Sequence, residues 1–327
     1  MTPASGPVVL ITLGGTIAMA GTDDGVVARL AGADLLAGLP SGVDLDVQDR
    51  PAVPSADLSF AEVLDVVEQA ATAVADGARG VVLTQGTDTL EETAFLVDAV
   101  WSHDAPFVLT GAMRNPTLAG PDGPANVLGA AQVAASDAAR GRGALVVLAD
   151  QVHAARHARK AHSTSVATFV SPDTGPVGHL VEGEARFLTS VPRLDPVPRP
   201  EPSALAATRV AFYPAVLDDD GSMLRGLEET HQGLVVAGFG VGHVPGRLAP
   251  VLGDLVAAMP VVLASRTGGG PVLTHTHGAP GSERDLRDRG LVPAGFLHPY
   301  KARVLLRLLV AAGADRAEVA ARFADYG

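Results

Sequence analysis

The 327-residue sequence has no cysteine, which excludes a disulfide-stapled module and any thiolate-based metal or redox centre. Basic residues are the minority charge: 24 Lys+Arg stand against 36 Asp+Glu, a formal net charge of −12. That acidity argues against nucleic acid or an anionic membrane surface as partner, because both would be repelled. Long apolar runs are also missing. Val8 to Leu13 is among the longest and has strand length, far short of the ~18 residues that would suggest a membrane span. Met1 to Pro7 lacks basic residues, and the apolar run leads into Gly14-Gly15 rather than a small-residue cleavage site, so the reading is a cytoplasmic protein. Charged residues make up only 18% of the chain and hydrophobic ones 47%. With a mean hydropathy of +0.26, the chain can bury large cores, and its length exceeds the ~250 residues at which one core usually splits. Two domains are expected.

What is present is an alternation of two periods. Short β-branched runs recur at Val8–Ile11, Val81–Leu83, Phe107–Leu109, Leu145–Leu148, Leu234–Ala237 and Val261–Ala264, and their continuous apolarity implies burial on both faces. Amphipathic stretches lie between them. Ser59 to Val74 carries Val63, Val67, Ala70 and Val74 on one stripe, with Ser59 and Glu62 spaced as a capping box. This is the βαβ alternation of an α/β fold with parallel sheets. Between Thr189 and Thr208 five prolines and no periodicity mark a linker. Residues 1–190 are therefore expected to form a larger N-terminal catalytic α/β domain, 191–208 a Pro-rich linker, and 209–327 a smaller C-terminal α/β domain. Lys301–Val310 and a last helix capped by Asp315, with Glu318 three residues on, close the smaller one.

In open parallel sheets ligands bind beyond the carboxyl ends of strands, where loops and helix N-termini present free N–H groups to a crevice. Three strands are followed there by hydroxyls and glycines: Thr12-Leu13-Gly14-Gly15-Thr16, Thr84-Gln85-Gly86-Thr87-Asp88-Thr89 and Thr110-Gly111-Ala112-Met113-Arg114. Two glycines before Thr16 allow a sharp turn that presents its hydroxyl as a nucleophile, although a tight turn alone accounts for them. Thr89 with Glu92 has capping-box spacing, and Asp88 suits the positive end of that helix; neither role accounts for Thr87 or Gln85. Lys160 lies in HARKAHSTSVATF, which otherwise reads as a surface loop. Beside a threonine and held partly dry, it could act as a base toward the hydroxyl.

Together, LITLGGTIA, LTQGTDTLEET, TGAMR with PDGPAN, HARKAHSTSVATF and HPYKARVLL resemble the bacterial-type L-asparaginase family of amidohydrolases over nearly the whole chain. The resemblance implies a larger flavodoxin-like N-terminal α/β sheet and a smaller C-terminal Rossmann-like parallel sheet. It also implies a homotetramer, a dimer of dimers with active sites shared between subunits, that hydrolyses L-asparagine to L-aspartate and ammonia without metal or cofactor. By matching, Thr16 is the nucleophile, and Thr87, Asp88 and Lys160 are the second threonine, acid and lysine. The N–H groups of Thr87 and Ala112 match the oxyanion donors. Ser55, in VPSADL, matches the serine that binds the substrate α-carboxylate, and Asp88 would hold the α-ammonium. Glu283, in GSERDL, aligns with an acid from the neighbouring subunit, and His243, in GFGVGHVPG, stands where many members carry asparagine.

Other positions depart from the family. Its usual loop tyrosine has no counterpart in Gly25–Leu30, since the chain's three tyrosines are Tyr213, Tyr300 and Tyr326. Ala56 replaces the glutamine that usually follows the carboxylate-binding serine, and Leu13 stands where threonine is more usual. Three other readings compete with hydrolysis. A catalytically weak homologue acting as an amino-acid sensor would keep the pocket, but has little use for two threonines and a lysine. The amidase partner of a tRNA-dependent amidotransferase shares this domain pair, but would carry an RNA-facing region ahead of a first strand that here begins at Val8. GFGVGHVPG invites a dinucleotide site, yet His243 stands where the third glycine belongs. His275 and His277 in HTHG have a spacing that could bind metal on a strand, but with no further ligand evident they read as a loop.

Overall fold

The computed structural model describes residues 6–14, 19–22, 25–28 and 43–326, with 19–22 and 25–28 as backbone only. It divides into two compact units, Met1–Pro196 and Val197–Gly327.

The first unit is built on the strands β1 (Val8–Thr12), β4 (Leu45–Asp49), β5 (Gly80–Thr84), β6 (Phe107–Thr110) and β7 (Ala144–Leu148), with β2 (Met19–Thr22) and β3 (Gly25–Ala28) forming a separate antiparallel pair. The first five run parallel in the order β4-β1-β5-β6-β7. That is the flavodoxin-like arrangement, with its switch point at β1 and β5. Antiparallel strands β8 (Gln151–Ala154), β11 (Gly178–Val181) and β12 (Glu184–Phe187) extend the sheet to eight. A two-residue pair, β9 (Arg159–Lys160) and β10 (Phe169–Val170), lies outside it. The all-apolar runs are the strands with both faces covered: β1, β5, β6 and β7 are buried at every position.

Among the described residues, three helices flank this sheet: α1 (Phe60–Ala75), α2 (Leu90–Val100) and α3 (Gly123–Ala135). Helix α1 starts at the expected capping box, with the Ser59 hydroxyl accepting from the Glu62 N–H and the Glu62 carboxylate accepting from the Ser59 N–H. It buries Val63, Val66, Val67 and Ala70. Helix α3 packs Val127, Ala130 and Val133 on Val82, Val108, Leu145 and Val147 of the sheet. The expected Thr89–Glu92 capping box does not form. Thr89 is the N-cap residue of α2, but its hydroxyl donates to the Ser55 carbonyl at 2.7 Å instead. The Glu92 N–H donates to the Thr89 carbonyl at 3.0 Å and not to the hydroxyl.

The second unit carries a parallel sheet in the order β13 (Val210–Pro214), β14 (Gly233–Gly238), β15 (Val261–Ser265) and β16 (Val292–Pro293). Its helices are α4 (Pro202–Ala207), α5 (Leu248–Ala258), α6 (Glu283–Asp288), α7 (Pro299–Ala311) and α8 (Arg316–Ala324). Leu234, Val236, Leu263, Leu248, Leu252 and Leu286 meet in one core. Asp315 and Glu318 form the capping box expected for α8. Helix α4 lies within the stretch read as linker, where Pro202 in the first turn starts a helix rather than preventing one.

Candidate active site

The registers place Thr12 of β1 opposite Thr84 of β5, and Thr84 opposite Thr110 of β6. Three hydroxyl residues therefore stand abreast at the carboxyl ends of adjacent strands, and the three loops that leave those ends share one rim. The Thr12 hydroxyl donates to Asp49 Oδ1 at 2.6 Å and that of Thr110 to the Val147 carbonyl at 2.6 Å. Beyond β1 the chain remains hydrogen-bonded to its neighbour through the Leu13 N–H and the Thr84 carbonyl, at 2.9 Å. It then turns at Gly14, whose φ of +83° is a conformation that L-side chains rarely adopt. Thr16 lies outside the described residues.

Beyond β5 the chain delivers the central group. Lys160 Nζ donates to Thr87 Oγ1 at 2.9 Å and to Asp88 Oδ1 at 2.7 Å. The lysine side chain is only 15% exposed, whereas that of Asp88 is 71% exposed and keeps a face open to an incoming cation. Asp88 thus pairs with a side chain rather than only settling the helix end. The segment that read as a surface loop carries Lys160 on a short antiparallel ladder opposite Phe169. That ladder is continued by the Ala161 N–H to the Thr168 carbonyl at 2.8 Å. Thr87 is buried, and its own proton faces Met113 Sδ at 3.4 Å. The Gln85 amide donates to the Gly86 carbonyl, while its oxygen is buried without a partner among the described residues.

The loop after β6 is held from below. Both carboxylate oxygens of Asp122 accept from the Met113 N–H at 3.1 Å, and Oδ1 also accepts from the Arg114 N–H at 2.8 Å. Asn126 donates to the Gly111 carbonyl at 2.9 Å and accepts from the Ala149 N–H at 3.0 Å. PDGPAN is therefore a brace for the TGAMR loop, a role the sequence did not reveal. Its effect is to hold Gly111 and Met113, on either side of Ala112, against Thr87. Gly111 makes this approach possible, because a Cβ there would lie 2.7 Å from the Gln85 carbonyl and 3.0 Å from Thr87 Cγ2. Among the described residues no carbonyl accepts from the N–H of Thr87 or Ala112. Ser55 completes the group. It is buried in a 3-10 turn, and its hydroxyl packs so closely on Gly86 that a Cβ there would stand 2.6 Å from it. Ala56 beside it is exposed.

In the second unit, the glycines of GFGVGHVPG do not run into a helix: Phe239 and His243 exchange backbone hydrogen bonds of 2.7 and 2.9 Å in a tight turn and α5 starts only at Leu248, so the dinucleotide reading lacks a helix end at its glycines. The Val244 N–H donates to the Gly281 carbonyl at 2.9 Å, which brings His243 to Glu283. His243 Nε2 is 2.9 Å from Glu283 Oε2. Glu283 is buried rather than a solvated charge: its Oε1 accepts the N–H of Thr276 at 3.0 Å and of His277 at 2.6 Å. Burial pushes its pKa up, but the backbone N–H groups of His277 and Glu283 and the two histidine side chains outweigh that and hold it at about 2. His277 sits in the expected loop, but its ring also reaches the carboxylate, with Nδ1 at 3.2 Å from Oε2. Sequence spacing had paired it with His275 instead.

The likeness to known proteins has the same outline. Residues 7–193 match the family described as Asparaginase, N-terminal, and residues 209–323 the Glutaminase/Asparaginase C-terminal domain. A probable L-asparaginase of Deinococcus radiodurans is 37% identical, covering 97% of each chain. A glutaminase-asparaginase of Pseudomonas aeruginosa is 30% identical over 98% of this chain and 90% of its own. Among solved structures, a probable cytoplasmic L-asparaginase of Campylobacter jejuni superposes with a TM-score of 0.86 at 28% identity, covering 98% of this chain and 99% of the other. The two units and their rim of hydroxyls are those of an amidohydrolase. The chain belongs to the asparaginase family.

Proposed function

We propose that the protein hydrolyses L-asparagine to L-aspartate and ammonia through a covalent ester on Thr16. The observation that carries this reading is the contact of Lys160 with both Thr87 and Asp88, three polar groups brought together from the switch-point strand and a distant ladder. In the first half-reaction the Thr16 hydroxyl oxygen attacks the amide carbon, and its proton passes to the Lys160–Thr87 pair and on to the departing ammonia. The N–H groups of Thr87 and Ala112 hold the oxyanion. Water then attacks the ester, releases aspartate and returns the proton to Thr16. Ser55 takes the α-carboxylate and the open side of Asp88 takes the α-ammonium.

His243 of a neighbouring subunit completes the ammonium end in this reading, with Glu283 orienting its ring, so the working form is a cytoplasmic homotetramer. Purified protein should release ammonia from asparagine, and Thr16→Ala and Thr87→Ala should abolish most of that release; equal rates in all three would leave only an amino-acid-binding role. Rapid quench with a slow substrate, then mass spectrometry, should find the adduct on Thr16. An adduct on Thr87 would exchange the two roles.

A further inference from the structure

His277 takes no part in the proposed reaction, yet it lies in a closely hydrogen-bonded polar cluster of the second unit. Ligand atoms of His243, His277 and Glu283 all lie within 4.8 Å of one another. A single oxygen, Glu283 Oε2, faces His243 Nε2 at 2.9 Å and His277 Nδ1 at 3.2 Å. Donor atoms around a tetrahedral ion at ~2.0–2.1 Å stand roughly 3.3 Å apart, close to these separations. The two rings meet at 86° with centroids 4.7 Å apart, an edge-on approach rather than a stack.

The scaffold is fixed independently of any ion. Glu283 Oε1 is held by the N–H groups of Thr276 and His277, and the Ser282 hydroxyl donates to the His277 carbonyl at 2.8 Å. Such outer hydrogen bonds orient ligands in metal sites. Access is one-sided: the carboxylate side chain is fully buried, while the two imidazoles are 35% and 46% exposed. Two imidazoles and one carboxylate with an open fourth position form a donor set that suits zinc.

We propose that His243, His277 and Glu283 form a binding site for a divalent transition-metal ion, with Zn2+ the best match and a water in the fourth position. Without the ion, each ring donates an N–H to the carboxylate; on binding, each proton moves to the other ring nitrogen and the freed lone pair takes the metal. The site rests on this unit alone. The proposed function adds one consequence, that an ion holding His243 slows asparagine turnover.

The test uses the full chain stripped with a chelator, with Co2+ as the optical probe and Zn2+ as competitor. One Co2+ per chain with the strong visible bands of a tetrahedral ion, displaced by Zn2+, is expected. X-ray absorption of the zinc form should show nitrogen and oxygen donors at ~2.0–2.1 Å. His277→Gln and His243→Asn, with folding checked by circular dichroism, should each weaken binding by roughly 100-fold or more. No tetrahedral cobalt spectrum, or unchanged affinity in both variants, overturns the site. His277→Gln should keep basal ammonia release and lose inhibition by zinc. Stoichiometric binding without inhibition supports the site and counts against the role given to His243; inhibition that survives in His277→Gln assigns the effect to another place.

Discussion

At the scale of single residues, Lys160 is the group on which the chemistry turns. Its ion pair with a largely exposed Asp88 contributes about 0–1 kcal/mol to stability, so Lys160→Met should fold normally. Turnover should fall by roughly two to four orders of magnitude, as loss of a proton-transfer group does, and steady-state ammonia release checks it. A rate within a few-fold of wild type would remove the lysine from the site. Gly111 sets a second expectation. A methyl group there meets a backbone carbonyl and the Thr87 side chain, so Gly111→Ala should cost about 1–3 kcal/mol in denaturant unfolding and lower kcat more than it raises KM. Thr87, Asp88 and Lys160 were each legible as types of residue. Their contact was not, because 73 residues separate Lys160 from Thr87 and only the topology closes that distance. His277, weighed with His275, reads in the sequence as a loop residue because its partners come from a turn after β14 and the start of α6, not from its neighbour in sequence.

At the scale of elements, what the sequence encodes locally was readable. The parallel strands are β-branched runs buried on both faces, and the boxes at Ser59–Glu62 and Asp315–Glu318 formed as their spacing implied. No box forms at Thr89, where the hydroxyl turns to the Ser55 carbonyl and the Glu92 N–H bonds the Thr89 carbonyl. Strands β8, β11 and β12 escaped notice because two of their turns lack the usual signal: Ala149-Asp150 and Glu182-Gly183 connect hairpins with positive φ at all four positions, and only one of the four is glycine. Ala149→Gly should therefore raise stability by up to about 1 kcal/mol, seen as a higher denaturation midpoint, because relief of the left-handed strain, about 1–2 kcal/mol, exceeds the glycine entropy cost of about 0.4–1 kcal/mol. Ser59→Ala should cost about 1 kcal/mol. The Glu62 carboxyl is held below its usual 4.5, chiefly by the Ser59 hydroxyl and N–H. A depressed carboxylate stabilises above its unfolded pKa and loses that contribution as the pH falls through its folded one. The stability gap between wild type and Glu62→Gln should hence be full near neutrality and close below roughly pH 4.

At the scale of the whole molecule, composition excluded more than it identified. A charge of −12 and the shortness of the apolar runs argue against nucleic acid and bilayers as expected partners, and among the described residues no helix is long and apolar enough to cross a membrane. The division near Pro196 falls within the proline-rich stretch, where no periodic pattern could carry a core. If the proposed tetramer is the working form, specific activity should fall on dilution in step with loss of the tetramer in sedimentation velocity. Full activity in a demonstrated monomer would refute the sharing of sites.

The row of Thr12, Thr84 and Thr110 also suggests how such an enzyme could be altered. A one-residue slip in any of the three strands, all buried on both faces, would send each side chain to the opposite packed layer, so the strands tolerate little revision. The tails beyond them lie outside those ladders and can be exchanged where Gly86, Gly111 and the Asp122–Asn126 brace are kept. A combinatorial library that swaps segments 85–89 and 111–114 among relatives, leaving every strand intact, is therefore the economical route to a new amide preference.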